Sequence, residues 1–574
     1  MENKTRFDEK LARKCRIIRV ARQEEPADIV IKNAHYLDVF ANEFSDADIA
    51  IAEGLIVGIG AYHGLVEIDA KGKVVIPGLI DAHIHLESSL VLPDEFAKAV
   101  LPHGTTSVIT DPHEIANVMG VDGIDYFLEA TSHLPIDVHF MLPSCVPSTA
   151  HDESGALLDV AALNPYYDHP RVLGLAEMMD YVGVLHQNPT VVGKIIASQM
   201  HHKKIDGHAP NLSGDDLNAY VAAGVYSDHE CFTLENAIEK LKRGQFIMIR
   251  EGTAAQNLDQ LMGLLTPQYY SRCMFATDDK HPHELLEHGH IDYMVSRAIK
   301  AGVDPIIALK VATHHAARYF LLNNKGALAP GYLADAVILD SLDNFHIEKV
   351  LKKGKIVFDE TVLPFSTSEV SQRLRDRSLD TIHIGSLNCE SFEVHEAPII
   401  GMEPGQIITT DRGMARHSDI EHDILKIAMV ERHHATGHVG VGFVQGYGLK
   451  RGAIATSIAH DSHNIIVVGA NDADMLRAVK RIEAMKGGMV IVDQGIIQQE
   501  LSLPIAGLLS DCSLEEVNHH MKQLRQTARL LGVAPAVDPF MSLSFMSLTV
   551  IPQLRITTHG IFDVKTQQYV SKVK

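Results

Sequence analysis

A short apolar run, Val75-Ile-Pro-Gly-Leu-Ile-Asp-Ala-His-Ile-His85, closes on two histidines two positions apart, and Leu86-Glu87-Ser88-Ser89 follows. Alternate residues of a strand project to the same side, so His83 and His85 can grip one cation together. By itself His-x-His is a weak motif. Its weight here comes from matching residues downstream, each at the end of another short apolar run. Val172-Leu-Gly-Leu-Ala ends at Glu177, Lys204-Ile-Asp-Gly at His208, Gly224-Val-Tyr-Ser-Asp at His229, and Cys273-Met-Phe-Ala-Thr at Asp278. Four imidazoles and two carboxylates make a ligand set for two divalent metals. His83, His85 and Asp278 would serve one ion, His208 and His229 the other, and Glu177 both. Two cations acidify a shared water and give a hydroxide nucleophile at neutral pH. Asp278 can also take that proton and pass it to a leaving group. Nitrogen and oxygen donors without thiolate suit Zn, Mn or Fe(II).

Each residue has a plainer reading. A lone His208 or His229 is most often a hydrogen-bonded surface or core histidine, and Asp278 can cap the helix after its strand. Glu177 lies in apolar Leu175-Ala-Glu-Met-Met, where an unpaired carboxylate is costly. The metal reading rests on the convergence of all six at strand ends.

That convergence needs a scaffold. Between about residues 76 and 320 there are eight apolar runs, each with a polar terminus and a helical pattern behind it. The remaining three are Thr106-Ser-Val-Ile-Thr before Asp111, Val138-His-Phe-Met-Leu-Pro before Ser144, and Phe246-Ile-Met-Ile-Arg before Glu251. The repeat of about 28 residues per unit suits a (β/α)8 TIM barrel, whose strand C-termini meet at one mouth. Thr110-Asp-Pro-His-Glu114 adds Asp111, His113 and Glu114 to that mouth, for substrate or protons; Asp-Pro is also a helix start. His281 and His283, in Asp278-Asp279-Lys-His-Pro-His, are weaker candidates. Residues from about 28 to 75 and from 326 to 360 are rich in short strands broken by Gly, Asn and Asp, and segments 1–75 and 321–364 are expected to form one small β-sandwich-like domain flanking the barrel. Residues 365–574 form a third, α+β domain with a βαβ element: a strand at His463 to Gly469, a helix capped at Asn471 or Asp472, and a strand from Met489. Leu476, Val479, Ile482 and Met485 are spaced for the buried face of that helix, and Gly487-Gly488 stops it. Its histidines (433, 434, 438, 460, 463) read mostly as surface residues. The turn Asp461-Ser-His-Asn464 is the segment best suited to reach the mouth.

The whole chain has 574 residues, of which 46% are hydrophobic and 22% charged, as in ordinary globular proteins. A net charge of −22 argues against a nucleic-acid partner. No run of about 18 apolar residues suggests a membrane span, and Met1 to Arg22 has no apolar core of a signal peptide. Six cysteines without Cys-x-x-Cys spacing suit reduced thiols in a cytoplasm. Thirty-four histidines are many for this length and favour a metalloenzyme. His283-Glu-Leu-Leu-Glu-His288 is one residue too long for the metalloprotease motif, and no Pro-Cys-x-x-Cys is present for a thiolate-zinc nucleobase deaminase.

The run ending at His85 resembles the first-strand signature of the amidohydrolase superfamily, and Gly326 to Leu339 resembles its closing Gly-x-Leu-x-x-Gly-x-x-Ala-Asp segment. Thr313-His-His-Ala-Ala-Arg is similar to its helix after strand eight, although His314 stands where Asn is usual. Within the superfamily, five segments are similar to the bacterial-type adenine deaminases: His85-Leu-Glu-Ser-Ser89, Thr110 to Ile115, Arg250-Glu-Gly-Thr253, Thr277 to Pro282, and Asp461 to Asn464. The resemblance implies hydrolytic deamination of adenine to hypoxanthine and ammonia by attack at C6, with two Mn or Fe(II) ions. It puts Glu177 where many relatives use a carbamylated lysine. It offers Glu114, Asp279 or His281 for a second proton transfer, and Glu87, Ser88, Asp111, His113, Ser462, His463 and Asn464 for substrate binding. The expected partner is a purine base, with no nucleic acid or membrane, in a dimer or tetramer. The competing expectations are a binuclear hydrolase of cyclic amides, such as a hydantoinase or dihydropyrimidinase, and a non-catalytic purine-binding protein.

Overall fold

The computed structural model describes residues 2–253, 255–367, 369–403 and 408–572. All eight apolar runs form parallel strands: β1 (Leu79–Ile84), β2 (Thr105–Thr110), β3 (Asp137–Leu142), β4 (Val172–Met178), β5 (Lys204–Gly207), β6 (Ser227–Asp228), β7 (Phe246–Arg250) and β8 (Cys273–Ala276). Hydrogen bonding runs unbroken from β1 to β5 and from β6 to β8. Two joints close the ring. Tyr226 N donates to Ile205 O at 2.9 Å, and Asp278 N donates to His83 O at 2.9 Å. Ile80, Ile109, Met141, Met248 and Met274 pack inside it, so the barrel is a filled core with chemistry confined to its rim.

The segments before and after the barrel share one sheet. Ala336–Leu339 lies antiparallel to Val74–Pro77, and the order continues through Ala27–Asp38 to Glu43–Ala52 on one side and Ile347–Lys352 to Lys355–Asp359 on the other. A buried charge cluster ties this sheet to the barrel. Asp335 accepts from Lys325 (2.9 Å) and Lys352 (2.7 Å), and both lysines also reach Asp137 at the start of β3. Burial pushes the Asp335 carboxyl up, but Lys352 and Lys325 more than offset this and hold it below the usual range. Removing one partner of such a group strands a buried charge. Asp335→Ala is therefore expected to cost about 3 kcal/mol of stability, read as an earlier midpoint in chemical denaturation. A midpoint like that of the parent would show the cluster to be dispensable.

The last third contains an eight-stranded sheet and a three-stranded one. Asn471 caps the helix Asp472–Met485, accepting from Asp474 N at 2.8 Å. Met475, Ala478, Val479 and Ile482 are its buried face, while Leu476 and Met485 are half-buried at its margin. The strands on either side, Ile465–Gly469 and Gly488–Asp493, are not neighbours in the sheet. Both pair antiparallel with Ala453–Thr456 between them, so the βαβ unit is split by an inserted strand. The helix ends on Lys486 in the left-handed region (φ 63°) rather than on a glycine. The chain also begins with a helix, Glu2–Ala21. Among the described residues no helix is long and apolar enough to cross a membrane.

Candidate metal centre and active site

Glu177 is the hub of the rim. Its Oε1 faces His85 Nε2 (3.3 Å) and His83 Nε2 (3.7 Å); its Oε2 faces His208 Nδ1 (2.7 Å) and His229 Nε2 (3.1 Å). The carboxylate thus divides the four imidazoles into two pairs, one pair per oxygen. Asp278 Oδ1 stands 3.1 Å from His85 Nε2 and 3.8 Å from His83 Nε2, so it joins the first pair. The rings of His83 and His229 stack at 4.4 Å across the two pairs. All six residues are buried.

The local chain explains these positions. Asp81 in β1 accepts from Thr277 N (3.1 Å) and Thr277 Oγ1 (2.5 Å), which fixes the end of β8 against β1. Asp278 adopts φ 60°, a left-handed conformation that Asp tolerates better than most residues, and its side chain faces the histidines. The Tyr220 hydroxyl donates to Met178 O (2.7 Å) and accepts from His208 N (3.1 Å), which locks the ends of β4 and β5 together. Gly252 is required where β7 turns toward β8: a Cβ there would lie 2.6 Å from the carbonyl oxygens of Thr277 and Asp279.

The donor chemistry fits divalent metal. His85 Nδ1 lies 3.0 Å from Asp111 O, and a carbonyl can only accept, so Nδ1 carries a proton. Its Nε2 then presents either a lone pair or a second proton to the oxygens of Glu177 and Asp278. A lone pair facing two carboxylates is repulsive, so a cation must stand between them. Without metal that cation is a proton: burial opposes it, but Asp278 and Glu177 raise the His85 pKa well above the ordinary histidine value. His83 Nε2 is buried without a hydrogen-bond partner and points into the same space. Burial would likewise push the Glu177 carboxyl up, yet His229 and hydrogen bonds from His208, His229 and His85 hold it well below the usual range. The backbone contact that orients His85 is the second layer that metal-binding histidines use to fix their tautomer.

Two charged residues that the sequence pattern passed over belong to this centre. Arg250, at the end of β7, makes ion pairs with Asp278 Oδ2 (2.5 Å) and with Glu230. Burial pushes Asp278 up, but Arg250 leads the interactions that hold it well below the usual range. Glu230 Oε1 is 3.7 Å from His229 Nε2 and 3.8 Å from His208 Nδ1. Arg250 appeared only inside a motif, and Glu230 was hidden beside the more conspicuous His229.

A small cavity lies above the cluster. Glu114, Asp279 and His113 line it with His85, Glu177, His208, His229 and Asp278, and His460, Asp461 and Phe545 reach it from the C-terminal third. Glu114 Oε1 lies 3.4 Å from His460 Nδ1. Burial, then the like charges of Asp279 and Glu87, push the Glu114 pKa well above the usual carboxylate value. Glu87, Ser88 and His281 line a smaller adjoining cavity with Glu114 and His460. Ser88 donates to Asp279, and Glu87 accepts from Ile115 N at 3.0 Å. Burial pushes Glu87 up to about 7 and His281 down to about 3. Asp111 holds His113 Nδ1 at 2.9 Å. Ser462, His463 and Asn464 lie outside the cavity lining. The Ser462 carbonyl is 2.7 Å from His433 Nε2, Asn464 Nδ2 donates to Glu153 O at 2.6 Å, and the His463 carbonyl accepts from Arg432. The turn reaches the barrel at two places: Asn464 meets the loop at 153, and Asp461 at its head lines the cavity with its Oδ1 3.7 Å from His113 Nε2.

Residues 74–357 match the amidohydrolase family model, and residues 405–568 match that of the adenine deaminase C-terminal domain. An adenine deaminase of Desulfatibacillum aliphaticivorans is 46% identical over 97% of this chain and 99% of its own. Adenine deaminase 2 of Carboxydothermus hydrogenoformans is 44% identical over 96% of this chain and 98% of its own. A solved D-hydantoinase from a Bacillus sp. is similar at 16% identity and TM-score 0.47, covering 59% of this chain and 97% of that one. Identity at this level across nearly the full length shows that the chain belongs to the adenine deaminase family of metal-dependent amidohydrolases.

Proposed function

We propose that this protein hydrolyses adenine to hypoxanthine and ammonia with two divalent metal ions, Mn or Fe(II), at the barrel mouth. The observation that carries the reading is Glu177 standing between two pairs of imidazoles with one oxygen toward each. His83, His85 and Asp278 would hold one ion, His208 and His229 the other, and Glu177 both. Bound there, the ions would make water acidic at neutral pH and neutralise charge that develops during hydrolysis.

The protein's own groups account for the remaining duties. Asp278, oriented by Arg250, accepts the proton of the attacking water. Glu114 and Asp279, which line the cavity, are better placed than His281 to return a proton to the ring or the departing amine. Glu87 and Ser88 hold this carboxylate group in place from the adjoining cavity, and Asp111 orients His113. Ser462, His463 and Asn464 serve the substrate by fixing the turn that carries Asp461. The same reading divides the chain into a composite β domain (1–75 with 321–364), the barrel (76–320) and a C-terminal domain (365–574). It places the reaction in the cytoplasm, where the six unpaired cysteines stay reduced.

Ammonia release from adenine by the Mn-reconstituted protein tests this reading, with adenosine and dihydrouracil as comparisons. Rapid release from adenine alone is the expected result. Ring opening of dihydrouracil without ammonia from adenine would keep the metal barrel and discard the substrate.

A further inference from the structure

We propose that the segment from Met541 to Ile551, in the C-terminal domain, is the wall against which the flat face of the substrate ring is held. Phe545, Leu548 and Ile551 supply it, with Met179 from the end of β4. The inference rests on the adenine reading and adds to it the residues that set affinity for the base.

The cavity is otherwise lined mainly by imidazoles, carboxylates and one guanidinium, groups that address the polar edge of a heterocycle. Its large apolar side chains are Met179, Phe545, Leu548 and Ile551. These four also belong to a small apolar cluster with Cys145, Met541 and Val550, separate from the barrel interior and from the core beneath the C-terminal sheet. A purine offers two apolar faces and a polar rim, so a site for it needs both kinds of surface. The Phe545 ring stacks on His460 at 4.4 Å and 21°, and both rings line the cavity.

The wall is held from behind. Buried Arg555 donates to the carbonyls of Ile551 (2.6 Å), Phe545 (2.7 Å) and Pro552 (3.1 Å), so one guanidinium pins the segment at Phe545 and at its C-terminal end. Ser547 Oγ donates to His460 O at 2.8 Å, and His460 N donates to Ser544 O at 3.0 Å, which fixes the segment to the turn beside it. Thr549 Oγ1 donates to Asp152 Oδ2 at 2.6 Å and so anchors it to the loop after β3. A surface fixed before the ligand arrives loses little freedom on binding. Met179, Phe545, Leu548 and Ile551 bind substrate and take no part in proton transfer.

Steady-state kinetics with adenine separate these roles. Phe545→Ala, Leu548→Ala and Ile551→Ala are expected to raise KM about tenfold while kcat changes less than about threefold, the size of effect that one lost stacking or apolar contact gives. Phe545→Tyr keeps the stacking face and is expected to restore KM to near the parent value. Metal content and thermal unfolding of each variant confirm that the centre and fold are intact. Unchanged KM in all three alanine variants, with the parent active on adenine, would overturn this inference alone. A fall in kcat without a rise in KM would also overturn it, because the segment would then act by positioning His460. An inactive parent would overturn the adenine reading and this inference with it.

Discussion

Asp278→Ala is expected to lower kcat/KM for adenine by at least about 10³-fold, since general base catalysis alone contributes up to about 10⁴-fold. Three observations converge on this residue. It stands 3.1 Å from His85 Nε2, inside the cluster that would hold metal. Its other oxygen is paired with Arg250 at 2.5 Å, which fixes the orientation of the carboxylate. Its side chain also lines the cavity in which a substrate would lie. Asp278→Asn preserves shape and removes the basic oxygen, so it should lose nearly as much rate as alanine while retaining more metal. Alanine at Arg250 should fall between the parent and these variants, because Asp278 remains but loses the partner that orients it. Single-turnover ammonia release measures each step without product release. An Asp278→Ala enzyme within tenfold of the parent would remove Asp278 from the chemistry.

The barrel and its rim were legible in the sequence because their signal is local. A short apolar run, a polar residue and a helical pattern repeat eight times, and each polar terminus lies where β1 to β8 end. His83, His85, Glu177, His208, His229 and Asp278 meet because strand ends in this fold have one destination. What escaped depends on contacts between distant parts. The insertion of Ala453–Thr456 between Ile465–Gly469 and Gly488–Asp493 is a matter of sheet order, and periodicity does not encode order. Glu230 and Arg250 have no spacing of their own; their significance is an ion-pair chain that exists only after β6, β7 and β8 are side by side. Phe545, Leu548 and Ile551 are buried apolar residues in a segment without regular alternation. In sequence such residues are indistinguishable from core, and only the fold shows that they border a cavity. The N-terminal helix Glu2–Ala21 is rich in charge, with Leu11 and Ile18 half exposed, so it lacked the apolar stripe that would have announced it.

Glu177→Ala is expected to empty the centre rather than slow it. Each Glu177 oxygen serves a different pair of histidines, so no other side chain can take over both contacts. Apart from Asp278, only neutral imidazoles would then face two divalent cations, whose mutual repulsion is on the order of 15 kcal/mol at about 4 Å and an effective dielectric constant of about 20. The protein should therefore retain at most one metal ion after dialysis, with ammonia release lost along with the second. Asp278→Ala provides the contrast. It leaves Glu177 and both histidine pairs intact, so it should retain more metal than Glu177→Ala at similar loss of turnover. Elemental analysis of the two variants beside the parent distinguishes a ligand to both ions from a residue whose main duty is the proton, with far-UV circular dichroism confirming that both fold. Two ions retained in Glu177→Ala would break the bridging assignment. Equal metal loss in both variants would instead make Asp278 as much a structural ligand as Glu177, and its role as proton acceptor would then rest on the Asp278→Asn enzyme.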